Sequence, residues 1–175
     1  MRVVVPFAPG LLHDRTVPSL IDQVDAEGNR YIIETYEVVN VVGHPLSYPS
    51  LLADWLTCGE DVCIIEHDNE SRPGFLAGFE ACPEPWCFHA YDLSIPWEEA
   101  VENPSGGAAP LGHGLAPLGH TRFRAGFGNQ ITDTLEAWWF QSSWVSRDTF
   151  VSGALNALGF TPHKHPGKAG HHHPY

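Results

Sequence analysis

Apolar positions along the chain follow two rhythms, continuous β-branched runs and helically spaced stretches. Val3-Val4-Val5-Pro6-Phe7 is such a run, closed by Ala8-Pro9-Gly10, and predicts a buried first strand ending in a turn. Residues 17–24 carry apolar positions at helical spacing, with Pro18 tolerable in a first turn and Gly28 as a stop. A second strand is expected over 31–39 and a second helix over 48–56, ended near Gly59. Val62-Cys63-Ile64-Ile65 forms a third buried strand that runs straight into Glu66-His67-Asp68. Pro73 opens a third helix, and a fourth strand follows from Trp86 to Tyr91.

Alternating strands and helices predict an α/β fold: one compact, Rossmann-like domain with a mostly parallel central sheet flanked by helices. In such sheets ligands sit beyond the carboxyl ends of the strands, so Pro6-Phe7-Ala8 and Glu66-His67-Asp68 should share one rim. Periodicity is lost between Pro96 and Pro117, where Gly, Ala, Pro and acids accumulate. A tandem pair, Ala109-Pro110-Leu111-Gly112-His113 and Ala116-Pro117-Leu118-Gly119-His120, lies at its end. The expected division is an α/β part over 1–95, a long loop over 96–120 and a remainder over 121–175. That remainder should hold a short strand at Thr121-Arg122-Phe123 and helices over 129–140 and 146–158, making the C-terminal part helical.

Length and composition narrow the class. The 175 residues, 43% of them hydrophobic, suffice for one core. Met1-Arg2-Val3-Val4-Val5-Pro6 is too brief for a signal peptide and no apolar run reaches membrane-spanning length, which predicts a soluble, cytoplasmic protein with no membrane partner. A formal charge of −12 gives no long-range attraction to a phosphate backbone. Eleven histidines, seven of them after residue 112, point to a metal. Four cysteines fall in two pairs of equal spacing, Cys58 with Cys63 and Cys82 with Cys87. The absence of glycine-rich knuckles and the place of Cys63 in an apolar strand disfavour a four-thiolate zinc site. Reduced thiols are the expectation.

Two constellations carry candidate chemistry. Glu66 and Asp68 flank His67 just past a hydrophobic strand, where acidity so near a sheet needs a cation or hydrogen bonds to compensate it. A divalent ion on a diphosphate would supply that; oxygen ligands suit Mg²⁺ or Mn²⁺, and imidazole favours Mn²⁺. The second is Pro162-His163-Lys164-His165 with Gly170-His171-His172-His173, unlike a six-histidine purification tag; imidazoles two apart on an extended segment project the same way. Arg15, soon after the first turn, is the best placed of the arginines to meet phosphate. Asp148, beside Trp144 at a helix start, is favoured over Asp133 and Glu136 as a base, although an acid there also complements the helix dipole.

Together these segments resemble the GT-A nucleotide-diphosphosugar glycosyltransferases, in which a first strand contacts the nucleotide, a DxD-like motif binds ribose and metal, and a C-terminal histidine completes the metal shell. The resemblance runs through Val3-Val4-Val5-Pro6-Phe7-Ala8, Ile64-Ile65-Glu66-His67-Asp68 and the His163-to-His173 segment. More narrowly, the chain is similar to small phage and actinobacterial glycosyltransferase-like proteins, through Glu66-His67-Asp68, Trp86-Cys87-Phe88-His89-Ala90-Tyr91 and Pro162-His163-Lys164-His165. It departs in having Glu66 for the first acid and in its short length. The resemblance implies a GT-A-like fold and a metal-dependent hexosyltransferase with a UDP-sugar as the default donor. The donor would meet Pro6, Phe7, Ala8, Arg15, Glu66 and Asp68; the metal would meet Asp68 and one or more of His163, His165 and His171. Acceptors implied range from a modified phage DNA base to a glycan, protein or small molecule. A metal-dependent hydrolase and a non-enzymatic metal-stabilised module are the competing readings. No HExxH, Gly-x-Ser-x-Gly or Walker signature is present.

Overall fold

The computed structural model describes residues 1–41, 43–91, 118–130, 151, 155–156 and 158–172. Seven strands form one sheet: β1 (Arg2–Phe7), β2 (Ile33–Glu37), β3 (Val62–Ile65), β4 (Asn69–Glu70), β5 (Trp86–Tyr91), β6 (His120–Phe123) and β7 (His163–His171). Their order across the sheet is β2-β1-β3-β6-β5-β7-β4. Three α-helices are found among the described residues: α1 (Pro18–Ile21), α2 (Tyr48–Thr57) and α3 (Phe75–Ala81).

This architecture corrects the expectation of a Rossmann-like, GT-A-like domain with a mostly parallel sheet and a helical C-terminal part. The ladders β1·β2, β1·β3 and β5·β7 are parallel, whereas β3·β6, β5·β6 and β4·β7 are antiparallel. The sheet is mixed because β6 is inserted in reverse between β3 and β5, with all four of its residues buried. The C-terminal segment is a nine-residue strand rather than a helix, paired with β5 on one side and β4 on the other. Of the expected helices over 129–140 and 146–158, only fragments fall among the described residues: a 3₁₀ turn over Phe127–Gln130 and helical positions 151, 155 and 156. Most of the loop expected over 96–120 lies outside them, as do Asp133, Glu136 and Asp148.

Helix α1 is shorter than its apolar spacing predicts, because the chain beyond it is put to other uses. The Gln23 side chain accepts from the Leu76 backbone N–H at 3.0 Å, and the Asp25 carboxylate accepts from the N–H groups of Glu27 and Asn29 at 3.0 and 2.8 Å. The two Asp25 bonds offer the backbone an alternative to continuing the helix, and the Gln23 bond ties the chain to α3.

The continuous apolar runs are explained by burial on both faces of the sheet. Val4, Val62, Ile64, Trp86 and Phe123 join α2 in one core cluster, while Val3, Val5, Cys63 and Ile65 join Leu20, Leu76 and Phe79 in the other. Close packing of α2 on the 3₁₀ turn requires glycine at 128, where a Cβ would fall 2.1 Å from the Leu56 carbonyl oxygen. Because β6 alone reverses direction between β3 and β5, strands β1, β2, β3, β5 and β7 all end at the same edge. No helix among the described residues is long and apolar enough to cross a membrane.

Candidate functional site

At that edge the segment after β3 is held by the loop after β1 and by the end of β7. The His67 carbonyl accepts from the His13 N–H at 2.9 Å and from the Thr16 hydroxyl at 2.8 Å, and the His172 N–H donates to the Asp68 carbonyl at 2.7 Å. Backbone bonds therefore bring Arg15, Glu66, Asp68 and His171 to one rim, although they come from three distant parts of the sequence.

Asp68 is 5% exposed, and its Oδ2 lies 3.2 Å from His171 Nε2 and 3.9 Å from His67 Nε2. Burial raises the acid's pKa, but the His171 hydrogen bond and the charges of His171 and His67 outweigh it, leaving Asp68 below its ordinary range. Glu66 accepts a 3.0 Å hydrogen bond from the buried Tyr48 hydroxyl. Arg15 Nε meets Glu70 Oε1 at 3.1 Å, and Glu70 Oε2 meets His172 Nε2 at 3.0 Å. His172 in turn stacks on His13, with ring centroids 4.1 Å apart. A cleft of about 610 Å³ opens beside Arg15 and Glu70, lined also by Asp14, Asp22 and Ser71.

The residues expected at this site divide. Asp68 and His171 are in contact; Arg15 and Glu66 border them; Pro6 and Phe7 end β1, with Ala8 just beyond. His163 and His165 are not at the rim. They sit at the opposite end of β7, where Cys87 and His163 are register partners. Asp148 lies outside the described residues. Glu70, His172 and His13 were missed by sequence reasoning, because their pairing spans up to 102 residues and no local motif marks it.

A second histidine-rich region lies beneath α3. His89 on β5, His120 on β6 and His165 on β7 are buried, with centroid separations of 5.2 Å for His89–His120 and 4.9 Å for His89–His165. His89 stacks on Phe75 at 3.6 Å. Burial drives all three imidazoles toward the neutral form: His120 falls to about 3, with the charge of His165 adding to the effect; His165 falls to about 4, with His163 and Arg122 adding; and His89 falls further still, with His120 and His165 adding, despite the opposing pull of the Pro166 carbonyl. Ser71 Oγ meets His120 Nε2 at 2.5 Å, whereas the other His120 nitrogen, His165 Nε2 and both His89 nitrogens lack a partner of hydrogen-bond geometry. Arg122, fully buried, donates to the carbonyls of Phe79, Glu84 and Cys82 and so ties the end of α3 to the sheet.

No protein-family model matches the chain, and a comparison with curated proteins finds no match.

Proposed function

We propose that the chain is a metal-dependent glycosyltransferase that uses a nucleotide-diphosphosugar donor at the rim formed by the ends of β1, β3 and β7. The observation that carries this reading is the buried Asp68 carboxylate in contact with His171 Nε2 at 3.2 Å, with His67 Nε2 at 3.9 Å. A carboxylate oxygen beside an imidazole is a donor pair that suits Mn²⁺ better than Mg²⁺, and a carboxylate held ionised in a buried setting is ready to ligate. Asp68 and His171 would hold the ion, which when bound neutralises charge on the departing diphosphate.

The chain's own residues bind and orient. Glu66, fixed by Tyr48, would present a carboxylate to the nucleoside, and Arg15, oriented by Glu70, would meet the diphosphate, with Pro6, Phe7 and Ala8 at the end of β1 contributing the remaining contacts. In transfer, the bond from the sugar's anomeric carbon to phosphate oxygen breaks, the acceptor oxygen bonds to that carbon, and the acceptor proton passes to a base. Among the residues read from sequence, Asp148 is the candidate for that base. The resemblance drawn from the sequence supports a UDP-sugar donor and leaves a modified phage DNA base, a glycan, a protein or a small molecule as acceptor. The −12 charge weighs against DNA. Four free cysteines fit a reducing cytoplasm, bacterial or phage-infected.

The test is release of nucleoside diphosphate from UDP- and GDP-sugars in the presence of Mn²⁺, with hydroxymethylated DNA and glycans as acceptors. Mn²⁺-dependent release that disappears in Asp68→Asn is expected. No release from any donor, with any acceptor, would overturn the reading.

A further inference from the structure

The cluster beneath α3 carries an inference that the rim does not need. Cys82 caps the end of α3, Cys87 lies on β5 and His165 on β7; one ligand atom from each falls within 4.8 Å of the others. Cys82 is 4% exposed, Cys87 0% and His165 9%. His163, two residues before His165 on the same strand, adds a fourth group: its Nδ1 is 3.2 Å from Cys82 Sγ. All four cysteines of the chain are free thiols.

We propose that Cys82, Cys87 and His165, with His163 as the fourth ligand, form a structural zinc site that pins α3 to β5 and β7. Two thiolates and two imidazoles are a preferred zinc set, and tetrahedral coordination at the usual bond lengths separates ligand atoms by roughly 3.6 Å. The Cys82–His163 pair already stands near that separation, and the atoms of Cys82, Cys87 and His165, all within 4.8 Å of one another, need draw in by about 1 Å to reach it, while the His163 ring must turn toward Cys87 and His165 to close the shell.

Two observations point to a ligand rather than to packing. His165 Nε2 is buried without a hydrogen-bond partner, a desolvation cost that a bound ion would remove. The backbone around Cys82 is also fixed from behind: its carbonyl accepts from Arg122 at 2.8 Å and from Arg124 at 2.5 Å, the kind of outer support that holds a ligand in place. The spacing of the sequence suits the site, since Cys82-x₄-Cys87 joins a helix end to a strand and His163-x-His165 projects both rings to one face of β7. Paired thiolates exclude a hard cation here, whereas the oxygen-bearing rim suits one. His165 and His171 are six residues apart on β7, with a register irregularity between them, and stand toward opposite ends of the strand, so the two sites are separate.

The experiment is an anaerobic Co²⁺ titration of the full-length, reduced, chelator-treated protein, followed by absorption. Saturation at one equivalent of a thiolate-to-cobalt charge-transfer band with intense tetrahedral ligand-field bands is expected, and Zn²⁺ should displace both. Replacing both thiols, Cys82→Ser with Cys87→Ser, should abolish the charge-transfer band, and His165→Ala should weaken binding so that saturation needs more than one equivalent of Co²⁺, while Asp68→Ala and Cys58→Ser keep both band and stoichiometry. An oxygen- and nitrogen-bound ion at the rim gives no such band, so failure of the donor site and failure of this site read out differently. Absence of the band from the wild-type protein at stoichiometric Co²⁺ would overturn the proposal whether or not the variants fold. So would persistence of the band in the variant that lacks both Cys82 and Cys87.

Discussion

At the rim His171 and His172 each face a carboxylate, at 3.2 and 3.0 Å, whereas beneath α3 His89, His120 and His165 face aromatic rings, thiols and one another. The same residue type thus meets opposite environments a few residues apart on β7. Neighbouring carboxylates surround the rim imidazoles with oxygen, whereas the dry, aromatic layer favours neutral imidazoles whose lone pairs are available. The lesson is that eleven histidines are not one signal. Their partners decide whether a group suits a hard cation and a phosphate or a soft structural ion.

The largest expected effect tests the layer. Arg122→Met removes the donor shared by the carbonyls of Phe79, Cys82 and Glu84 at and just past the end of α3 and should cost about 3 to 5 kcal/mol in denaturant unfolding, with rim binding weakened only in proportion to the unfolded fraction. A cost below about 1 kcal/mol would show that α3 does not depend on this tether.

The next effect is on pH dependence. The folded pKa of His120, about 3, lies below the ordinary value of 6.5, so between these values the folded state binds fewer protons than the unfolded state. Stability is therefore full above pH 6.5 and is lost as pH falls toward 3, by roughly 3 kcal/mol at pH 4 from this group. His120→Gln should flatten that slope in equilibrium unfolding measured across the range. An unchanged slope would mean that His120 is charged in the folded protein.

The smallest expected effect is at the rim. Glu70→Gln leaves Arg15 and His172 facing a neutral amide and should weaken nucleotide binding about tenfold, some 1.4 kcal/mol, with a thermal midpoint close to that of the unmodified protein. An effect on stability larger than that on binding would make Glu70 a structural ion-pair residue instead.

Much of the sheet could be read directly from residue order. Val3-Val4-Val5, Val62-Cys63-Ile64-Ile65 and Trp86-Cys87-Phe88 are buried apolar runs, and burial of that kind leaves a local signature. Strand β7 leaves none. His163-Lys164-His165-Pro166-Gly167-Lys168-Ala169-Gly170-His171 lacks both apolar alternation and β-branched residues, and it becomes a strand through β5 and β4, which its own residues do not announce. The error in fold class follows from the same source, since neither the reversal of β6 nor the C-terminal strand has a periodic trace.

For the site, Glu66 and Asp68 were legible because they follow a buried strand. Grouping His163 and His165 with His171 was not correct as a single cluster, because nine residues of extended chain carry them to opposite ends of β7. The role of Glu70 was invisible, since it depends on Arg15 and His172 arriving from 55 and 102 residues away.

Calorimetric titration of UDP and GDP, with and without Mn²⁺, against the protein and Asp68→Ala tests the central claim most directly. Binding of one nucleotide that requires Mn²⁺ and vanishes in Asp68→Ala, with the variant still folded, is the predicted result. No binding of either nucleotide in the presence of Mn²⁺, or binding indifferent to Asp68, would contradict it.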